Sequence, residues 1–549
     1  MLKVCWKNSR SLLRPCKFKG VREKRHFVSK KYADTLNLPN TTFELWGAGK
    51  REEDVQRVCS FSGLYSWQRQ WESKKDFCLH DGPPYANGDP HIGHALNKVL
   101  KDVINRYKLL RGHRIHYKPG WDCHGLPIEL KALSEHKDDF RKLSPPEIRE
   151  KARNFAERAI GKQMVAFKRW GVMADWDNGC YYTFHKEYEA SQLQLFHQMY
   201  QKGYIYRDLK PVNWSPSSRT ALAEAELEYN PSHVSPSIYV KFPVSTLPGK
   251  LAEYSSNLYA AIWTTTPWTI PANEAICYTP AKDYSIVRCT ETGEDLLLAT
   301  ERVDKIAQIW GKTFETIVSF AGSNLHGGSC LHPTTSGKTV PLLPAAHVKM
   351  SMGTGLVHTA PAHGPEDYGI AVQFNLPLHC TVDEDGIFSQ EVGPHLAGKN
   401  VLTEANDIVI DMLRTNGSLL MQSNYAHSYP YDWRTKQPII IRPSKQWFIN
   451  TGAIKDRALE CLRDVSMLPS HALNSMRAQL DGRTFWCISR QRVWGVPIPV
   501  FYNRETDEPL VTSASVNHVT GLIKKHGSDC WWKLPIEELL PEDVLAQMF

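Results

Sequence analysis

The stretch from Phe77 to Leu130 constrains the fold more than any other part of the chain. A short apolar run, FCLH (Phe77–His80), gives way to a loop dense in Pro and Gly, DGPPYANGDP (Asp81–Pro90). In the HIGHALNKVLKDVINRYKLL that follows, apolar residues fall at Leu96, Val99, Leu100, Val103, Ile104 and Tyr107. Spacings of three and four place them on one helical face. RIHYKPGWDCHGLPIEL then reads as a second strand ending in another Pro/Gly loop. Strand, loop, helix, strand is the βαβ pattern of a nucleotide-binding parallel sheet.

The rest of the chain divides by texture, and the full length of 549 residues predicts about three or four units. LYSWQRQW reads as a helix, and long helical periodicity runs from Pro145 to Tyr200. At SIYVKFPV (Ser237–Val244) β-branched residues, Gly and Pro take over, with short strands recurring to about Ile441. That is the signature of a β-rich domain inserted into the first one. After KQWFIN the chain returns to mixed α/β character. The expected organisation is a leader at 1–31, a first α/β segment at 32–236, the insert at 237–445, and a second, returning α/β segment at 446–549. Internal repeats and long low-complexity segments are absent.

Charge is unevenly placed. Residues 1–31 hold eleven Lys and Arg against Glu23 alone, a net of +10. The whole chain has 66 basic and 58 acidic residues, which leaves 55 and 57 for the remainder, a net of −2. A basic, acid-poor N-terminus with scattered Ser and Leu has the composition of an organelle-import presequence. The same composition also suits a basic tail that touches nucleic acid; import is the expectation. No apolar run approaches the roughly 18 residues that span a bilayer, so no membrane role is expected. Thirteen cysteines with no C-x-x-C pair argue against a disulfide framework and a zinc knuckle, and point to a reducing compartment.

The loop carries the first candidate chemistry. Asp89 suits an N-cap and Pro90 the first helical position. His91 and His94 then share one face of the first turn, where free N–H groups and the helix dipole already attract anions. Gly93 between them lets a flat ring approach the backbone. These parts fit a triphosphate site. H-x-G-H by itself equally describes two surface histidines after a turn; its position after a strand and before a helix supports the site.

DGPPYANGDPHIGHALNKVLKD strongly resembles the signature of isoleucyl-tRNA synthetases, class I aminoacyl-tRNA synthetases. With the basic leader, the resemblance is to the mitochondrial form, and a mitochondrial-matrix monomer is expected. The resemblance implies that His91, Gly93 and His94 bind ATP. His91 and His94 would also stabilise charge as the isoleucine carboxylate attacks the α-phosphorus, a catalysis of positioning and electrostatics. It further implies that Gly82 and Pro83 line the amino-acid pocket, and that Asp122 in GWDCHGLP holds the α-ammonium. ATP with Mg2+ enters as substrate, and isoleucine and tRNA(Ile) are the other partners. The implied fold is α/β: a Rossmann-like parallel-sheet catalytic domain, incomplete at its C-terminus, with a β-rich inserted editing domain.

Two segments of the insert, WTTTPWTIPAN (Trp263–Asn273) and GTGLVHTAPAHGPEDYG (Gly353–Gly369), resemble the editing domain of the same family. An apolar pocket discriminates against one missing methylene by only about 1–3 kcal/mol, so valine needs hydrolytic removal at a second site. By carry-over, Thr264, Thr265, Thr266 and Asn273 would contact the terminal adenosine and the mischarged ester. Asp367 would hold the substrate ammonium, and His358 would orient the ester or water. His363 lies near with no assigned role. These residues lack a closed ligand set, so no metal is expected.

YPYDWRTKQPIIIR, KQWFIN and WCISRQRVWGVPIP resemble the family's return into the catalytic domain, with Tyr431 where His is usual. The resemblance runs from about Phe77 to Phe501. The family's K-M-S-K-S loop has only a decoy here, KMSMG (Lys349–Gly353), and W-F-D-S-G, E-G-x-D-Q and the anticodon-reading domain have no counterpart. Half a parallel sheet would expose apolar surface, and impaired synthesis is expected of this chain alone. An editing-only deacylase and a non-catalytic tRNA-binding fragment are the alternatives.

Overall fold

The computed structural model describes residues 48–72, 75–136 and 143–548; the expected presequence lies outside them. The chain forms two compact units, divided differently from the segments expected above.

The first unit comprises the described part of Met1–Leu79 with Ala95–Tyr117 and Ala166–Asp175. It holds helices α1 (Ala48–Val58) and α2 (Phe61–Arg69), strand β1 (Asp76–Leu79), most of helix α3 (Ile92–Leu110) and strand β2 (Arg114–Tyr117). The expected βαβ pattern is present: β1 pairs with β2 in parallel, Asp76 opposite Arg114 and Leu79 opposite Tyr117. Arg114 clamps that end by donating to both Asp76 oxygens at 2.8 and 3.3 Å. This holds the exposed Asp76 carboxyl well below the usual carboxylate range. On the other side of β2, the fully buried Gln68 stands in for a neighbouring strand. Its amide accepts from Ile115 N–H at 2.8 Å and donates to Ile115 O at 3.0 Å.

Helix α3 forms where its periodicity predicts, but its apolar stripe is open. Leu96, Val99, Leu100, Val103, Ile104 and Tyr107 are all exposed, while Lys98 and Asn105 are buried. The reason is one of size. A 19-residue helix is about 28 Å long, whereas two four-residue strands make a ribbon about 13 Å long. Such a ribbon cannot cover the stripe.

The second unit comprises His80–His94, Lys118–Val165 and Trp176–Phe549. Strand β3 (Gly120–Trp121) pairs in parallel with β4 (Tyr181–Tyr182). Gly120 is required there, because a Cβ would fall 2.2 Å from the Tyr181 ring. Helix α4 (Leu126–His136) precedes the expected helical region, which α5 (Pro145–Arg169) and α6 (Lys186–Gln201) supply. They lead into β5 (Ile205–Ser215) and β6 (Thr220–Leu222), then a 20-residue strand, β7 (Leu227–Thr246).

The insert adds β8 (Leu258–Thr264), β9 (Ala275–Tyr278), β10 (Asp283–Cys289), β11 (Asp295–Ala299), β12 (Phe314–Ala321), β13 (Ser329–Leu331), β14 (Thr339–Pro344) and β15 (Val357–Thr359). The chain returns through β16 (Leu419–Asp432) to β17 (Ile440–Ile449) and β18 (Trp486–Cys487). The large sheet has the order β12-β10-β11-β8-β7-β13-β14-β9-β15, with β16 antiparallel to β7. A second sheet has the order β18-β17-β5-β6.

Residue 237, where the insert was expected to begin, lies inside the unbroken strand β7. Packing is continuous across it. Ile238, Val240, Phe242 and Val244 alternate into one apolar core that also contains Trp214 of β5 and Phe448 of β17. The eleven cysteines among the described residues are all free, and no described helix is long and apolar enough to cross a membrane.

Candidate functional site

The loop after β1 is held by side chains distant in sequence. Asp81 is buried and accepts from Gly120 N–H at 3.1 Å. Backbone bonds from Asp122 N–H to Pro84 O and from Ala86 N–H to Asp122 O, both 2.9 Å, join it to the loop after β3. Gln163 of α5 donates to the carbonyls of Tyr85 and Gly88 at 3.1 and 2.8 Å, and Gly88 takes φ 149°, a conformation that favours glycine. Together these keep the loop extended through Pro90.

The helix therefore begins at Ile92, not at Pro90. Asp89 is not the N-cap; it pairs with Lys162 at 2.8 Å. The capping is done by the histidines. His91 Nδ1 accepts from Gly93 N–H and His94 Nδ1 accepts from His91 N–H, each at 3.1 Å. The two rings lie 4.0 Å apart, tilted by 35°. With both Nδ1 atoms accepting, the proton of each neutral ring sits on Nε2, the donor an anion would meet. Gly93 matters for a sharper reason than expected: a Cβ there would fall 2.8 Å from His91 Cε1. The ring that approaches the backbone is that of His91.

A cavity of about 600 Å³ opens beside this loop, lined among others by Tyr85, Asp122, His124, Gln446, Gln491 and Trp494. Burial raises the Asp122 carboxyl above the usual range, outweighing the His124 backbone N–H that favours its charge. A bound cation would reverse that burial penalty. Neither histidine lines the cavity, nor do Gly82 and Pro83; Tyr85 forms the wall on that side.

Trp494 was not singled out by its sequence context. It is fully buried, donates from Nε1 to Cys123 O at 2.8 Å, and its N–H meets Glu129 at 2.9 Å. Arg149 fixes the same segment by donating to Val493 O and Gly495 O at 2.7 and 2.8 Å, and pairs with Asp529 at 2.5 Å. Such contacts, 340 and more residues apart along the chain, leave no local signal.

The insert gathers its candidates around β15. Asn273 is fully buried, and its amide donates to His358 Nδ1 at 2.6 Å and to Ala275 O at 2.9 Å. His358 therefore carries its proton on Nε2 and donates to Thr269 Oγ1 at 3.0 Å. Thr269 in turn donates to Thr266 O at 2.8 Å. Thr266 N–H meets Thr264 Oγ1 at 3.1 Å, and Thr265 is half-buried beside them. Burial first, then His332 and His363, lowers the His358 pKa to about 3. The ring is neutral near pH 7, and it braces the threonine loop through Thr269. Thr269 lay inside the quoted motif but was not picked out.

Asp367 is half-buried, its Oδ2 accepting from Ala360 N–H at 3.0 Å. Burial raises its pKa to about 7, opposed by that N–H and assisted by Glu366. His363 donates from Nδ1 to Ile441 O at 2.9 Å and sits edge-on to Trp268. Among the described residues no group of three or more His, Cys, Asp or Glu could hold a metal ion.

The sequence pattern of the tRNA synthetases class I (I, L, M and V) matches residues 60–548. The chain belongs to that family. It is 57% identical over 525 residues to the mitochondrial isoleucine–tRNA ligase of Macaca fascicularis, covering 94% of this chain and 53% of that protein. The mitochondrial isoleucine–tRNA ligase of Gallus gallus is also 57% identical, over 523 residues, with 94% and 52% covered. The isoleucine–tRNA ligase of Thermosynechococcus vestitus is 47% identical, with 94% and 55% covered. The chain thus spans about half the length of the curated relatives it matches. Its fold class is that of the class I synthetases, mixed sheet with helices.

Proposed function

We propose that this chain carries the isoleucine-activating and editing sites of a mitochondrial isoleucine–tRNA ligase, and that synthesis by this chain alone is impaired. ATP, with Mg2+, and isoleucine react to form the adenylate; the isoleucyl group passes to tRNA(Ile); and Val-tRNA(Ile) is hydrolysed in the insert. The protein acts as a monomer in the matrix. The observation that carries the reading is the Asp122 carboxylate on the wall of a 600 Å³ cavity. Backbone bonds join it to the histidine loop, and no described cation pairs with it. An α-ammonium there would recover the charged form that burial disfavours. His91 and His94 present Nε2–H donors to the phosphates, and stabilisation grows as charge shifts onto the pyrophosphate oxygens. In the insert, Asp367 offers a second, half-buried carboxylate to the amine of a mischarged ester, while Thr264, Thr265 and Thr266 face the terminal ribose and ester. Asn273 and His358 act through that loop by holding it in shape.

Two substitutions test the halves separately. Asp122→Asn is expected to reduce kcat/KM for isoleucine in ATP–pyrophosphate exchange by about 10- to 100-fold, the worth of one charge-assisted hydrogen bond, while Val-tRNA(Ile) deacylation continues. Asp367→Asn is expected to do the reverse. Deacylation without exchange in the unmodified chain would reduce the reading to a hydrolase, and absence of both would overturn it.

A further inference from the structure

A separate cavity of about 440 Å³ lies in the insert, and none of Thr264, Thr265, Thr266, His358 and Asp367 lines it. Its apolar lining is Pro271, Ala272, Pro361, Ala362, Leu396 and Met412. These come from the turn before β9, the turn after β15, the loop around Leu396 and the helix Ala405–Thr415. Polar contacts fix the walls. Buried His332 accepts from Thr334 and Thr335 N–H at Nδ1, at 3.2 and 3.1 Å. Its Nε2 therefore carries the proton and donates to Ile270 O at 3.0 Å. Lys338 donates to Asn273 O at 2.7 Å and to Glu274 at 2.8 Å. The result is a pre-formed concavity of the size that holds small ligands, mostly apolar with a few polar groups.

One atom marks this cavity as a place for a ligand. Thr381 lines it and is only 9% exposed, yet its Oγ1 is buried with no hydrogen-bond partner among the described residues. A buried hydroxyl left unpaired is costly, and a ligand that donates to it removes the cost. Charge then selects the sign of that ligand. Glu274 and Glu391 line the cavity, Lys338 is the one ammonium group among the lining residues, and His379 stands at the exposed rim. Lys338 is matched by Glu274 at 2.8 Å, which leaves the Glu391 carboxylate as the surplus charge. An ammonium group brings a positive charge and three N–H donors. A short branched aliphatic body fits the Pro, Ala, Leu and Met lining, which gains from being covered.

We propose that this cavity is a binding site for a small aliphatic ammonium compound, whose N–H groups meet Thr381 Oγ1 and whose charge is balanced by Glu391. The site goes beyond the function proposed above and does not rest on it. It lies behind the threonine loop. Ala272 and Glu274, which line it, flank Asn273, whose amide holds His358. Pro361, also on its wall, follows Ala360, whose N–H holds Asp367. A ligand here touches both segments that carry the candidate residues of the insert without touching those residues.

The test is NMR of the full chain carrying methyl-13C methionine, with isobutylamine as the probe. The Met412 methyl resonance, assigned by its loss in Met412→Leu, reports the cavity. Isobutylamine is expected to shift it saturably with a dissociation constant on the order of 1 mM, within the ceiling for so small a ligand. Isobutanol, the same body without the charge, should leave it in place. Thr381→Val is expected to weaken binding about tenfold. Glu391→Gln, at an exposed position, should weaken it about threefold, and less at high salt. Asp367→Asn, at a separate site, should leave it within about twofold. A response lost with Asp367 would place the probe at the threonine loop and overturn the proposal. So would an equal response to isobutanol, or binding indifferent to both Thr381→Val and Glu391→Gln. L-Valine separates two sources of the same chemistry. A Met412 response to it identifies the ligand as a free amino acid, and silence beside an isobutylamine response identifies it as a simple amine.

Discussion

Asn273 and His358 show how a residue named by a motif can work one step away from the chemistry. The motif WTTTPWTIPAN draws attention to Asn273 as a substrate contact, yet its amide is spent inside the protein on His358 and Ala275. Replacing it with Ala would leave His358 Nδ1 buried without its donor, at a cost of about 1–3 kcal/mol. Asn273→Ala is therefore expected to lower the denaturation midpoint and to loosen the threonine loop through Thr269. Both are measurable, by urea unfolding and by the imidazole 15N shifts of His358. An unchanged His358 tautomer would rule out the relay. At the other candidate site, the sequence proposed His91 and His94 from a local pattern, a Pro/Gly loop before a helix, and Asp122 from the family resemblance. The true cap was not legible, because Gln163 and Gly88 decide where the helix begins.

Among elements, helix α3 and the β7/β16 ribbon make opposite points about patterning. The period of three and four in α3 was readable and correct, but periodicity says only which residues share a face. What covers that face is a matter of the neighbouring sheet, and here the two-stranded ribbon is too short. Substituting Leu96, Leu100 and Val103 with Gln is expected to change unfolding stability by less than about 0.5 kcal/mol each, as for other surface positions, and to reduce binding of an apolar dye. A loss of several kcal/mol would mean that the stripe is packed in solution. In β7 the alternation of Ile238, Val240 and Phe242 predicted a strand, and a strand is present. Its length of 20 residues could not be read, because its first half is supported by β16, which lies nearly 200 residues further along the chain in its pairing.

In the second unit, buried imidazoles contribute to the response to acid. His332 and His363 have pKa values lowered to about 4 and His358 to about 3, burial being the first cause in each. Between about pH 4 and 6.5 the unfolded chain protonates all three while the folded chain leaves them neutral, so stability falls as pH falls. Asp367 acts the other way. Its pKa is raised to about 7, so between pH 4 and 7 the folded chain holds a proton that the unfolded chain has lost, and stability falls as pH rises. For these four groups alone, three against one leaves a net of two protons, or roughly 3 kcal/mol lost per pH unit on acidification. Urea titrations from pH 7 to 4.5 should show that loss, and Asp367→Asn should steepen it by removing the opposing group. A flat profile would mean that these imidazoles are accessible to protons in the folded state.

Motif spacing and resemblance determined the family, the βαβ start and the β-rich insert, and proposed the residues of both candidate sites, because each of these is written in contiguous stretches of chain. The tertiary structure decided what no stretch contains. It determined that Trp494 and Arg149 shape the first cavity and that Asn273 braces a loop. It made the insert share one core with β5 and β17, and it walled the Thr381 cavity with separate segments of the insert. Those outcomes depend on strand register and on contacts between residues hundreds of positions apart, and a sequence pattern carries neither.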